Sequence, residues 1–111
     1  MNISDKSCIE VRDKRITVIG AGLSGTSTAI LASYLGAKVF ISDSSSSFSV
    51  ANTSSELVYQ NHIAVESGIQ TNKIYDADLW IISPGVPKNS DIIVKAKEKN
   101  IPIVGEIEFA S

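Results

Sequence analysis

The pattern Gly20-x-Gly22-x-x-Gly25, the acid Asp43 and the loop Ser83-Pro84-Gly85-Val86-Pro87 are the parts of this chain that suggest a binding chemistry. Such a glycine pattern arises easily by chance, and its weight here comes from context. The apolar run Ile16-Thr17-Val18-Ile19 precedes it, a helical pattern follows, and Asp43 stands 18 residues beyond Gly25 at the end of the next strand-like run. That is the layout of a dinucleotide fingerprint. Gly20 would allow the tight turn, Gly22 would let the backbone approach a phosphate, and Gly25 would let helix and strand pack closely. Unpaired amides near Leu23, Ser24 and Gly25 would meet the anion, helped by the helix dipole. Asp43, with Ser44 as polar companion, could accept hydrogen bonds from a ribose or a base. The competing readings are structural: a turn that binds nothing, a solvated acid before a serine loop, and a plain proline turn.

Other side chains carry less. His62 has no Cys, Asp or Glu at ligand spacing and reads as a surface or loop residue rather than a metal ligand. Nothing near Cys8 would lower its pKa. Trp80 reads as core, and the lysines around Lys95 as a solvated helix face. The chain has no Gly-x-x-x-x-Gly-Lys-Ser/Thr phosphate loop and no serine, histidine and acid set for nucleophilic catalysis. The pattern is that of a binder without catalytic machinery.

The elements that must hold these groups follow from apolar periodicity. Strand-like runs at Ile16–Ile19, Lys38–Ser42, Ile63–Val65, Leu79–Ile82 and Ile103–Val104 alternate with helical patterns. The first helix runs from about Leu23 to Leu35, with Gly36 at its left-handed C′ position. A short helix is expected over 52–61. Another helix is capped by Asn89 or Ser90, carries Asp91 in its first turn with Lys95 at i,i+4, and ends at Asn100 and Pro102. Ser42–Ser55, with eight serines in fourteen positions, reads as a solvated loop rather than a linker. Ser67-Gly68 closes the third strand, Pro84 ends the fourth, and Gly105–Phe109 carries the chain out of the fifth. Strands alternating with helices predict an α/β fold: a Rossmann-like, doubly wound, five-stranded parallel sheet of order 3-2-1-4-5. In that order strands one and four meet at the topological switch point, so the glycine turn and the Ser83-Pro84-Gly85 loop would face one ligand.

Length and charge bound the rest. A chain of 111 residues, 43% hydrophobic, fits one domain and can bury roughly 65% of its unfolded surface. A net charge of −2 gives no footprint for nucleic acid or an anionic membrane. One cysteine permits no intrachain disulfide, and no stretch resembles a signal peptide or reaches the ~20 apolar residues of a membrane span. The expectation is a soluble, cytoplasmic domain over 14–111 behind a leader at 1–13.

These residues together resemble a known family. The segments Arg15–Gly25, Val39–Asp43, Ala77–Pro87 and Ile101–Phe109 are similar, at these distances, to the N-terminal domain of the Mur ligases, MurD type. The Ser-Pro-Gly-Val-Pro loop followed by a helix and Ile-Pro-Ile-Val-Gly-Glu-Ile-Glu is the specific part. The resemblance implies the first domain of a three-domain cytoplasmic ligase of peptidoglycan synthesis that joins D-glutamate to UDP-N-acetylmuramoyl-L-alanine. It implies that Gly22, Leu23, Ser24 and Gly25 meet the nucleotide and diphosphate, that Asp43 and Ser44 hold the uracil, and that Ser83 and Gly85 approach the diphosphate. Some relatives carry arginine after the Asp-Ser/Thr pair, where this chain has Ser45. ATP and Mg2+ would belong to the central ATPase domain of the full-length chain, which would activate the substrate carboxylate as an acyl phosphate. These residues alone would hold no cofactor and be inactive. The alternative from the residues themselves is an NAD(H)-binding module of a dehydrogenase or regulatory protein, with Asp43 on the adenosine ribose.

Overall fold

The apolar runs form strands because β-branched residues buried on both faces suit a covered parallel sheet. The computed structural model describes residues 11–20, 22–43, 63–67, 70–87 and 89–110. In chain order they form β1 (Arg15–Ile19), α1 (Gly22–Tyr34), β2 (Lys38–Asp43), β3 (Ala64–Ser67), a 3-10 turn (Asn72–Tyr75), β4 (Leu79–Ile82), α2 (Asp91–Glu98), β5 (Ile103–Gly105) and α3 (Glu106–Ala110). The strands make one parallel sheet of order β3-β2-β1-β4-β5, the topology expected from the sequence.

Burial divides by face. Ile16, Val18, Val39, Ile41, Leu79 and Ile81 pack with Ala29 and Ala32 of α1 and Phe109 of α3. Ile19 and Trp80 pack on the other face with Ile93 and Ala96 of α2, Ile74 and Ile101. Trp80 is wholly buried, and its indole N–H donates to the Ile74 carbonyl at 2.7 Å. Tyr75 stacks on it, and the Lys95 and Lys99 ammonium groups lie over the Tyr75 ring at 5.6 and 5.5 Å. Lys95, placed at i,i+4 from Asp91, thus caps an aromatic stack.

Both longer helices end in the same way. Gly36 (φ +101°) and Asn100 (φ +63°) occupy the left-handed C′ position. Ala37 N–H returns to the Ala32 carbonyl and Ile101 N–H to the Ala96 carbonyl, the long bond of a Schellman motif. The α1 face against the sheet is made of small residues. Thr28, Ala29 and Ala32 are buried, whereas Leu31, Tyr34 and Leu35, all part of the helical apolar pattern, are exposed. Small residues let the helix approach the strands closely.

Several boundaries differ from the sequence reading. The third strand begins at Ala64 and includes Ser67, because Asp43 continues β2 and pairs with Ser67. The first helix begins at Gly22, one residue early. Gly105–Phe109 does not simply leave the sheet: Gly105 ends β5 and α3 follows at once. Gly105 N–H donates to Glu108 Oε1 at 2.9 Å, half of a capping box that starts this helix. Ser90 is the N-cap of α2 by position, but its hydroxyl donates to the Pro87 carbonyl at 2.9 Å rather than serving the helix amides. Val11, within the segment expected to be a leader, is buried in the core. The expected helix over 52–61, most of the serine loop, Cys8 and His62 lie outside the described residues.

Candidate functional site

In a doubly wound sheet the loops after the strands converge on the carboxyl side, and the switch point opens a crevice between them. Here β1 lies between β2 and β4 and is the first strand among the described residues. Its last residue, Ile19, accepts from Ser83 N–H at 3.1 Å, while Gly20 N–H donates to the Ser42 carbonyl at 2.9 Å. The ends of β1, β2 and β4 are thereby tied together.

Gly20 shows why the sequence needs glycine at this bend. Its φ is +81°, and a Cβ there would lie 3.0 Å from Ser83 Cβ and 3.3 Å from Val86 Cγ2. The glycine turn and the Ser83 loop are therefore in direct apposition. The loop is a β-turn with Pro84 at its second position: Val86 N–H donates to the Ser83 carbonyl at 3.0 Å, and Gly85 N–H donates to Ser83 Oγ at 3.4 Å. Gly85 itself faces open space: a Cβ at that position would have only Ser83 Oγ near it, at 3.9 Å.

A cavity of ≈ 510 Å³ opens beside this apposition, lined by Gly20, Asp43, Gln70, Ser83, Gly85 and Val86, with Pro87, Ser90, Asp91 and Ile92 beyond. Three of the expected site residues, Asp43, Ser83 and Gly85, meet in it. Gly22, Leu23, Ser24 and Gly25 form the opening of α1, two residues after Gly20, with their side chains outside the described set. Ser44 also lies outside it. Gln70 was not anticipated. It stands after β3 in a stretch with no motif, and only the strand order places it beside Asp43.

The described lining of the cavity offers an anion no cationic side chain. Among the described residues lining the cavity there is no Lys or Arg, and both ionisable ones, Asp43 and Asp91, are acidic. With Gly20 N–H committed to the Ser42 carbonyl, the backbone donors open to an anion at this bend are the amides of the first turn of α1, which lack intrahelical acceptors. Asp43 suits the neutral N–H and O–H donors of a nucleoside. Among the described residues, no group of three or more His, Cys, Asp or Glu is placed to hold a metal, and no helix is long and apolar enough to cross a membrane.

The rim is braced from β3. The Glu66 carboxylate accepts from Ser42 Oγ at 2.7 Å, Thr71 N–H at 2.9 Å and Thr71 Oγ1 at 2.7 Å. Burial alone pushes this carboxyl upward, but the Thr71 N–H, the Ser42 and Thr71 hydroxyls and the Lys73 charge together hold it below its ordinary value. At the opposite end of the sheet, the exposed Arg15 guanidinium pairs with Asp76 and Asp78. Its hydrogen bond to Asp78 is the main cause that holds that carboxyl low. A smaller hollow of ≈ 370 Å³ lies on the far side of the Ser83 loop, between α2, β5 and α3, lined by Ile93, Lys97, Ile103 and Glu106 among others.

Comparison with known proteins places the fold in a family. The family profile described as "Mur ligase MurD-like, N-terminal domain" matches residues 14–105. The UDP-N-acetylmuramoylalanine–D-glutamate ligase of Bacteroides thetaiotaomicron is 41% identical over 98 residues, covering 87% of this chain and 21% of that protein. That of Christiangramia forsetii is 43% identical over 99 residues, covering 88% of this chain and 22% of that protein. The chain thus spans about a fifth of the length of these relatives. Among solved structures, the UDP-N-acetylmuramate-alanine ligase MurC of Thermotoga maritima superposes with a TM-score of 0.67 at 20% identity, over 87% of this chain and 22% of that one, a likeness of fold. With the family profile spanning both the glycine turn and the Ser-Pro-Gly loop, the chain belongs to the Mur ligase MurD-like N-terminal domain family.

Proposed function

We propose that this chain binds the uridine diphosphate end of UDP-N-acetylmuramoyl-L-alanine, as the substrate-holding domain of an ATP-dependent ligase that adds D-glutamate in peptidoglycan synthesis. The domain division is part of the reading: a UDP-binding domain at 14–111, preceded by a segment at 1–13 whose Val11 packs into the domain's core, partnered by a central ATPase domain and acting in the cytoplasm. The observation that supports it best is the cavity that joins Gly20, Asp43, Ser83 and Gly85 at the switch point. In this reading the amides of Leu23 and Ser24, beside Gly22 and Gly25, meet the diphosphate. Ser83 and Gly85 flank it, and Asp43 with Ser44 accepts from the uracil.

ATP and Mg2+ are not assigned to these residues. The chain has no lysine-bearing phosphate loop, and the acids of the cavity stand without a third metal-ligating partner among the described residues. Their chemistry belongs to the central domain, and this chain by itself performs no ligation.

Titration calorimetry of the chain with UDP, UDP-N-acetylmuramoyl-L-alanine and NADH tests the reading. The two uridine ligands are expected to bind, weakly for an isolated domain, and NADH to give no saturable signal. A response to NADH alone would overturn the assignment in favour of a dinucleotide-binding module.

A further inference from the structure

Glu66 is a carboxylate with three hydrogen-bond partners and no place in the nucleotide-recognition scheme above. It lies in β3, directly across from Ser42 in the parallel register, one residue before the pair Ser67 and Asp43. Ser42 is wholly buried and joins two parts of the rim: its carbonyl accepts from Gly20 N–H, and its hydroxyl donates to Glu66. On the other side, Thr71 is held to Glu66 through both its N–H and its hydroxyl. Asp43 follows Ser42, and Gln70 precedes Thr71, and both line the ≈ 510 Å³ cavity. One carboxylate thus sets the positions of two neighbours of cavity-lining groups that are far apart in sequence.

We propose that Glu66 is a positioning residue for nucleotide binding, fixing Asp43 through Ser42 and Gln70 through Thr71 on one wall of the cavity. The inference rests on the reading that this cavity takes uridine diphosphate. Glu66 does not touch the ligand. It removes the freedom of the β2 end and of the 70–71 segment, so that the carboxylate and amide on that wall are already in place when the ligand arrives.

The substitutions separate this role from simple support of the fold. Glu66→Ala cuts all three bonds. Glu66→Gln keeps them: its amide oxygen accepts from Ser42 and the Thr71 N–H, and its amide N–H donates to the Thr71 hydroxyl, which reverses its role. Uridine diphosphate is titrated into the 111-residue chain and followed by amide chemical shifts, for wild type, E66A, E66Q, D43A and the double variant. The expected result is about tenfold weaker binding for E66A and binding within about threefold of wild type for E66Q. The losses of E66A and D43A should also be clearly less than additive, because one acts through the other. Thr71→Ala, which cuts one of the three bonds to Glu66 together with the Lys73 N–H bond that the same hydroxyl accepts, is expected to weaken binding about threefold and serves where E66A does not fold. A wild-type signal that E66A or T71A leaves unchanged, or fully additive losses with D43A, would overturn the inference alone. No saturable wild-type signal would overturn it together with the functional reading.

Discussion

Replacing Gly20 by alanine probes the apposition on which the site is built. Two costs combine. An L-residue in the left-handed region costs about 1–2 kcal/mol, and Gly20 has φ +81°. The new methyl would also stand 3.0 Å from Ser83 Cβ and 3.3 Å from Val86 Cγ2, neither of them the far end of a long side chain. Pushing the loop aside in a packed region costs about 1–3 kcal/mol. The two overlap, because a shift of the bend relieves both, and a total of about 2–4 kcal/mol is expected. Domains of this size have stabilities of about 5–15 kcal/mol, so the variant should remain folded, with a Tm lower by roughly 10 °C. Gly85→Ala is the matched control. Its Cβ would meet only Ser83 Oγ at 3.9 Å and its φ is not left-handed, so stability should stay within about 1 kcal/mol of wild type. Urea unfolding followed by far-ultraviolet circular dichroism measures both. A loss below about 1 kcal/mol in G20A, or equal losses in the two variants, would show that the bend and the Ser83 loop are not packed as described.

Asp43→Ala is expected to weaken uridine-ligand binding about tenfold or more, the effect of losing a carboxylate acceptor; unchanged calorimetric affinity in the folded variant would make the carboxylate a bystander. Trp80→Phe removes the buried indole bond to the Ile74 carbonyl and part of a fully buried ring, at about 2–4 kcal/mol. Because Trp80 is the chain's one tryptophan, its urea midpoint must be read by circular dichroism rather than fluorescence. Glu66 gives a pH prediction. Its folded carboxyl lies below the ordinary value of 4.5, so its contribution is complete above that value and is lost as pH falls through the lower folded one. Urea midpoints measured from pH 6 down to 3 should therefore fall less steeply in Glu66→Gln than in wild type. Parallel curves would contradict the assignment.

What could be read from the sequence was what local chemistry dictates. Val18, Ile41 and Ile81 sit in runs that only a doubly covered strand accommodates, and five such runs separated by helical stretches leave few topologies. Gly36 and Asn100 announced the helix ends because left-handed backbone selects those residue types. Gly20, Asp43, Ser83 and Gly85 were legible because strand order alone brings them to one crevice. The missing pieces depend on partners distant in sequence. Glu66 looks like a solvent-facing strand residue until Ser42 is placed opposite it, and Gln70 belongs to no motif. The 3-10 turn Asn72–Tyr75 is held by the Thr71 hydroxyl, which accepts from Lys73 N–H, and by packing of Ile74 beneath Trp80, not by an apolar period. The helix Glu106–Ala110 is too short for periodicity to reveal, and its start rests on a side chain reaching back to Gly105.

If the turn after β1 and the loop after β4 clasp one nucleotide, the ligand's footprint must span both. That footprint can be read from amide chemical-shift changes in the wild-type chain as uridine diphosphate is added. The largest changes are expected at Gly20 to Gly25, Asp43 and Ser83 to Gly85. Changes centred instead on Lys97 and Ile103 to Glu106, around the hollow beyond the Ser83 loop, would place the nucleotide elsewhere and end the proposal of a shared clasp.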